Sequence, residues 1–359
     1  MSEEDVVIRK EGRAGRITLN RPAAMNALTW AMALRIEQAL DKWEHDSGVD
    51  VVVVDAAGEK AFCAGGDIAD LYKKGRAGDF DYGRKFWCDE YRLNAKIHRY
   101  AKPYVAFMDG IVMGGGVGVS AHGSHRIVTE RSVVAMPETG IGLIPDVGGT
   151  FLLSRMPGRC GEYIAMTAAR MGPGDAIYGG FADLYMPVER TAAAIAALCD
   201  TGDVTLLDAH CEVAPTSALA ANRVEIDALF ASPDAVSIVQ SLENASSSLA
   251  RDAAKAIRRN SPLAVTAALL AVRRARDLAS IEDCLALEYR FTYRCQEMSD
   301  FLEGIRAAVI DKDRKPNWRF ARLEDLDETR AEALLASLGT EELPHSPPER
   351  RHPEKPVQS

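Results

Sequence analysis

The chain of 359 residues carries few of the signals that would commit it to a metal, a membrane or a polynucleotide. Its seven cysteines, Cys63, Cys88, Cys160, Cys199, Cys211, Cys284 and Cys295, are odd in number and scattered, with no C-x-x-C pair. Neither a zinc site nor a disulfide framework is signalled, and a reducing compartment fits best. No uncharged run approaches the length of a membrane span. The opening MSEEDVVIRK is acidic where a secretory or mitochondrial leader is basic and then apolar, so a cytoplasmic protein is expected. Positive charge is also short: 43 Lys and Arg against 52 Asp and Glu leave a net charge of -9, which disfavours nucleic acid and anionic membranes as partners. There is no GK[ST] phosphate loop, no G-x-S-x-G elbow and no internal repeat.

What the chain does have is a hydrophobic content of 47% beside 26% charge, enough for one large domain with an extension or for two domains. VVIRKEG-RAG-RITLNRP reads as a hairpin, and residues 29–44 as an amphipathic helix with Leu34, Ile36, Leu40 and Trp43 on its apolar side. The β-branched run 51–54 and the segments 104–108 and 126–129 read as strands with helical stretches between them, an α/β pattern. Beyond about residue 215 helical periodicity dominates, with Ser261-Pro262 as a cap and first-turn pair and Ile281, Leu285 and Tyr289 at four-residue spacing. Five prolines in the last sixteen residues predict a disordered tail. The expected division is therefore 1–215 as an α/β core, 216–338 as a helical region packing on that core or on a neighbouring subunit, and 339–359 as the tail.

Three glycine-rich stretches follow strand-like runs: KAFCAGGDI (60–68), IVMGGGVGVSA (111–121) and AMPETGIGLIPDVGGT (135–150). Gly116 to Ala121 satisfies the loose dinucleotide pattern G-x-G-x-x-A, yet only residues 117–123 separate it from SHRIVTE, too few for the crossover helix that such a fold needs. Close packing alone is the structural alternative for such glycines.

LNRPAAMNAL, FCAGGDI, MGGGVG, MPETGIGLIPDVGGT and EGIRAAVIDKDRKPNW, in this order, resemble the crotonase, or enoyl-CoA hydratase/isomerase, superfamily, and more closely its 3-hydroxyisobutyryl-CoA hydrolase branch, over residues 6 to about 340. The resemblance implies a spiral of ββα units giving strands to two β layers, with a C-terminal helical extension. It also implies an acyl-CoA thioester as ligand, no metal and no cofactor beyond the CoA of the substrate. The amides of Gly66 and Gly115 would form the oxyanion hole, where side chains would block the approach of a thioester carbonyl. Met25, Ala27, Lys60, Ala64, Gly66 and Ile68 would contact CoA. Members commonly form trimers or paired trimers, while the longer C-terminal region of this branch also permits a monomer.

The carboxylates separate the chemistries. Hydratases of the superfamily place one glutamate shortly after the triple glycine and a second in the PE motif; here the first position is Gly118 and the second is Glu138. A hydratase with one of two carboxylates lacks half its water-handling apparatus. Thioester hydrolysis needs an oxyanion hole and one carboxylate, because a thiol of pKa ~8.5 leaves readily as thiolate. By resemblance Glu138 is that carboxylate, Asp146 positions water or shares protons with it, and Glu90 contacts the substrate through its 3-hydroxyl, as in valine breakdown. Each acid also has a structural reading: Glu138 as a first-turn helix residue, Asp146 as an N-cap, Glu90 as a mid-helix surface acid. His122 and His125 are expected to be structural. An enoyl-CoA hydratase or isomerase, and a catalytically silent acyl-CoA binder, are the competing readings.

Overall fold

A computed structural model describes residues 4–344. The N-terminal hairpin pairs β1 (Val6–Glu11) with β2 (Ala14–Leu19), antiparallel from Val6↔Leu19 to Glu11↔Ala14. Its two-residue turn places Gly12 at φ 55, a conformation that a side chain would strain. Thr29 caps α1 (Trp30–Glu44), its hydroxyl accepting from the Met32 amide. The helix buries Met32, Ile36, Leu40 and Trp43. Leu34, expected on that face, is only half-buried, since it stands about 200° around the helix from both Met32 and Ile36.

From β3 (Val51–Ala56) onward the strands alternate between two sheets: β3, β5 (Tyr104–Met108) and β7 (His125–Val128) enter one, β4 (Ala61–Cys63), β6 (Ile111–Met113) and β8 (Val133–Ala135) the other. Within each set the pairing is parallel. β9 (Arg170–Met171) and β10 (Leu184–Tyr185) complete orders β1-β2-β3-β5-β7-β10 and β4-β6-β8-β9. Val51 to Val54 and all of β5 are buried, as unalternating β-branched and apolar runs require of central parallel strands. The repeating unit is thus one strand to each layer followed by a helix: α2 (Ile68–Arg76) and α3 (Phe80–Arg99) after β4, the one-turn α4 (Gly115–Gly118) after β6, and α5 (Gly149–Ser154) and α6 (Cys160–Thr167) after β8.

The remaining helices are α7 (Pro173–Tyr178), α8 (Val188–Thr201), α9 (Ala218–Leu229), α10 (Ala235–Asn244), α11 (Ser248–Arg259), α12 (Pro262–Ala275), α13 (Ile281–Met298), α14 (Phe301–Ile305) and α15 (Glu328–Leu335). Ser261 caps α12 through the Ala264 amide with Pro262 in its first turn. In this chain α12 packs on α5 and α6 and α13 on α3, so one buried apolar cluster runs from Val6 to Leu335 across the expected boundary at 215. The helical region thus packs on the α/β core of its own chain, one of the two expected arrangements, and the boundary at 215 marks a change of secondary structure. The expected tail also begins too early: Gly339–Glu341 forms a helical turn and Glu342 accepts from Arg290 Nε at 2.9 Å, which holds 339–344 on the body. The rest of that tail, 345–359, lies outside the described residues.

Candidate active site

The three loops singled out in the sequence leave the C-terminal ends of β4, β6 and β8, three adjacent parallel strands of the smaller sheet. Gly66, Gly115 and Glu138 follow those strand ends by two or three residues, so the sheet itself sets their spacing. They meet around a cavity of about 100 Å³, walled also by Ala64, Ile68, Glu90, Asp146 and Phe301.

The two expected oxyanion donors adjoin. A Cβ placed on Gly115 would lie 3.2 Å from the Gly66 nitrogen and 3.0 Å from Glu90 Oε1, so only glycine leaves this side open. Gly114 has φ 48, and a Cβ there would stand 3.0 Å from Glu138 Oε1. Neighbouring backbone is bonded: the Leu28 amide donates to Gly65 O at 2.9 Å, the Asp67 amide to Leu28 O at 2.8 Å and the Ala64 amide to Met25 O at 3.0 Å. No bond from the Gly66 or Gly115 amide is found among the described residues.

Glu138 opens a single 3-10 turn (Glu138–Ile141) and is buried; its Oε2 has no partner among the described residues. Burial and the neighbouring Asp146 push its carboxyl well above the usual range. Asp146 is buried too, and accepts a hydrogen bond on Oδ2 from the Tyr91 hydroxyl at 2.7 Å. Burial raises it to about 7, with the Tyr91 bond opposing the rise. Glu90, expected to be ambiguous on a mid-helix site, is 2% exposed with Oε1 unpartnered, and burial followed by Asp146 raises it well above an ordinary carboxyl.

Asp146 does not cap α5. That duty falls on Glu288 of α13, whose carboxylate accepts from the Gly148 amide at 2.8 Å, the Thr150 amide at 2.8 Å and the Thr150 hydroxyl at 2.5 Å. Between them Val147 takes φ 54, unusual for a β-branched residue, and its carbonyl lies 2.7 Å from His122 Nε2. The loop bearing Asp146 is thereby fixed by Tyr91, His122 and Glu288, none of which the motifs had singled out for this task. His122 is structural as expected; burial lowers it to about 3, so it stays neutral. His125 lies 2.9 Å, Nδ1 to Oγ, from Ser124.

Of the residues expected to contact CoA, Ala64, Gly66 and Ile68 line this cavity, while Met25 and Lys60 line a second hollow of about 180 Å³ with Pro22, Asn26 and Gly58. Ala27 lines neither, and its carbonyl accepts from Arg21 Nη1 at 2.6 Å. Asn26, buried at φ 54, ties this loop down by donating to Ala57 O and Ala61 O at 2.9 and 2.8 Å.

Gly118 lies outside the cavity, and a side chain has no room there. A Cβ would stand 2.7 Å from Asn94 Nδ2 and 2.9 Å from Val147 Cβ. The position that carries a glutamate in hydratases is closed in this chain, not merely vacant.

Residues 14–335 match the model of the enoyl-CoA hydratase/isomerase family. The chain is 38% identical over 352 residues to a protein of Danio rerio named 3-hydroxyisobutyryl-CoA hydrolase, mitochondrial, covering 94% of this chain and 91% of that one. It is 35% identical over 369 residues to 3-hydroxyisobutyryl-CoA hydrolase 1 of Arabidopsis thaliana, covering 98% and 97%. Among solved structures, an enoyl-CoA hydratase from Rhodobacter sphaeroides superposes with a TM-score of 0.92 at 51% identity, covering 95% of this chain and 100% of that one. A carnitinyl-CoA dehydratase from Mycobacterium thermoresistibile gives 0.91 at 44% identity, covering 95% and 99%. With its alternating ββα spiral and these relatives over nearly its whole length, the chain belongs to the enoyl-CoA hydratase/isomerase, or crotonase, family.

Proposed function

We propose that this protein is an acyl-CoA thioester hydrolase acting on a short 3-hydroxyacyl-CoA, 3-hydroxyisobutyryl-CoA in the first instance. The observation that carries the reading is the pairing of two free glycine amides with one unpartnered carboxylate, Glu138, in a site whose second hydratase carboxylate position is sterically shut. The thioester oxygen sits between the Gly66 and Gly115 amides, which stabilise the negative charge that develops on it. Glu138 attacks the carbonyl carbon to give a mixed anhydride that water opens, or it deprotonates the water that attacks; either way the C–S bond breaks, the acyl carbon gains hydroxyl from water, and the remaining proton goes to the thiolate. Asp146, poised near neutrality, exchanges a proton with Glu138. Glu90 Oε2 receives the hydrogen bond of the 3-hydroxyl. Lys60 and the backbone around Met25, Ala64 and Ile68 take the CoA portion, and the reaction calls for no cofactor.

The curated relatives' names support this substrate and with it a place in valine breakdown. All seven cysteines are free, which suits a reducing compartment; the cytosol and the mitochondrial matrix both provide one, and vertebrate relatives carry mitochondrial names. No helix among the described residues is long and apolar enough to cross a membrane.

Double-bond hydration is the second reading, favoured by the descriptions of the two solved structures quoted above. Thiol release from 3-hydroxyisobutyryl-CoA, measured beside hydration of crotonyl-CoA on the same preparation, decides between them. Brisk CoA release with slow hydration is the expected result; the reverse overturns the hydrolase reading, and neither activity despite CoA binding leaves a silent acyl-CoA binder.

A further inference from the structure

Asn94 is fully buried on α3, yet neither Oδ1 nor Nδ2 has a partner among the described residues. Buried carboxamides are almost always bonded. One turn earlier on the same helix Glu90 presents its own unpartnered Oε1. Across from them stand the bare backbones of Gly115 and Gly118: Glu90 Oε1 lies 3.0 Å from the Cβ position of Gly115, and Asn94 Nδ2 lies 2.7 Å from that of Gly118. Residues four apart on α3 and three apart on α4 share a face of each helix, so a polar edge of one lies against a glycine edge of the other.

This edge borders the catalytic cavity. Glu90 and Val147 belong to the cavity wall, and the Cβ position of Gly118 is flanked by Val147 Cβ at 2.9 Å and by Asn94. Asn94 thus stands one layer behind the wall, one helical turn from Glu90. A small neutral species that donates and accepts together answers all three unpartnered atoms, and water has that chemistry with the two to four partners a buried water requires.

Resting on the proposed hydrolysis, we propose that Asn94 and Glu90 form the binding site of the water consumed in the reaction, with Asn94 as a positioning residue. The amide holds the water without competing with Glu138 for its proton. From there the water moves one step to the acyl carbon, giving its hydroxyl to the acyl group and its proton to the departing thiolate.

Two measurements on the full chain test this. A crystal structure fine enough to resolve ordered water is expected to show one within about 3.2 Å of Asn94 Oδ1 or Nδ2 and of Glu90. An amide closed directly onto protein atoms, with no such water, overturns the proposal. In Asn94→Leu, close in size but without hydrogen-bonding groups, kcat for thiol release should fall about tenfold or more while KM changes less than about twofold. Asn94→Ser should recover part of the loss, which a purely packing role would not produce. An Asn94→Leu protein with unchanged kcat, or with the loss confined to KM, sinks the idea. If Asn94→Leu does not fold, the wild-type crystal structure and Asn94→Ser decide. A wild-type enzyme that releases no thiol while a water occupies the niche refutes the assigned reaction and not the niche.

Discussion

The Tyr91 hydroxyl donates to Asp146 Oδ2 across 2.7 Å, and both groups are buried. The phenol's own ionisation is pushed well above its ordinary range, so Tyr91 remains a donor throughout the working pH range. It favours the charged form of a carboxyl that burial raises to about 7.

That balance fixes the sign of a pH prediction. Catalysis by Asp146 as carboxylate requires proton loss, so kcat/KM for thiol release should rise with pH through about 7. Tyr91→Phe removes the bond that lowers the carboxyl and should move the rising limb to higher pH. A limb that stays in place, or moves down, in the pH profile of the variant would assign the titration to another group.

Glu138→Gln keeps the shape of the site and removes the ionisable oxygen whose partner is lacking. Thiol release should drop about 10²- to 10⁴-fold, while CoA affinity measured by calorimetry stays near that of the wild type. Equal loss of binding would make Glu138 a structural acid.

Gly115→Ala should be soluble but slow. Its methyl would stand 3.0 Å from Glu90 Oε1 and 3.2 Å from the Gly66 nitrogen, in the approach path of the thioester oxygen. Loss of a single oxyanion donor costs about 10²- to 10³-fold in kcat, and the variant should fall in or beyond that range in a thiol-release assay.

Gly118→Glu should not create a hydratase. A Cβ there meets Asn94 Nδ2 at 2.7 Å and Val147 Cβ at 2.9 Å, an overpacking that costs about 1–3 kcal/mol or more and leaves the carboxylate no route to the cavity. Lower thermal stability without gain of crotonyl-CoA hydration is the outcome expected from melting curves and a hydration assay.

Glu288 makes a prediction about stability. Removing its three bonds in Glu288→Ala leaves two buried amides and a hydroxyl unpaired and should cost about 2–4 kcal/mol, read in urea unfolding. Burial also raises its carboxyl to about 8, above the 4.5 of an unperturbed glutamate. The folded chain then holds this proton longer than the unfolded one, so its contribution is complete below about 4.5 and is lost as pH rises through about 8. The decline of melting temperature between those limits should be shallower in the variant.

Much of this was legible before any coordinates. Local chemistry announces itself: Thr29 and Ser261 cap where their hydroxyls precede a helical run, and the valines of β3 read as a central strand because they do not alternate. Short motifs point to Gly66, Gly115, Glu138 and Asp146, and all four line one cavity. The supports were hidden because they act across the chain. Glu288 lies 138 and 140 residues from the groups it binds, and its stretch LALEYRF reads as ordinary amphipathic helix. Asp146 was open to a capping role because sequence cannot show that a distant carboxylate already fills it. Asn94 gave no signal at all, since an amide in a helix is unremarkable until both of its polar atoms are seen without partners.

The capping of α5 from α13 has a bearing on how the enzyme is made. Emerging from the ribosome in order, the chain exposes its glycine loops and both proposed catalytic acids by residue 146, but the carboxylate that fixes the loop of Asp146 arrives only with Glu288. A nascent or truncated product that stops short of α13 lacks both that carboxylate and part of the shared core, so a competent centre is expected only once α13 has been made.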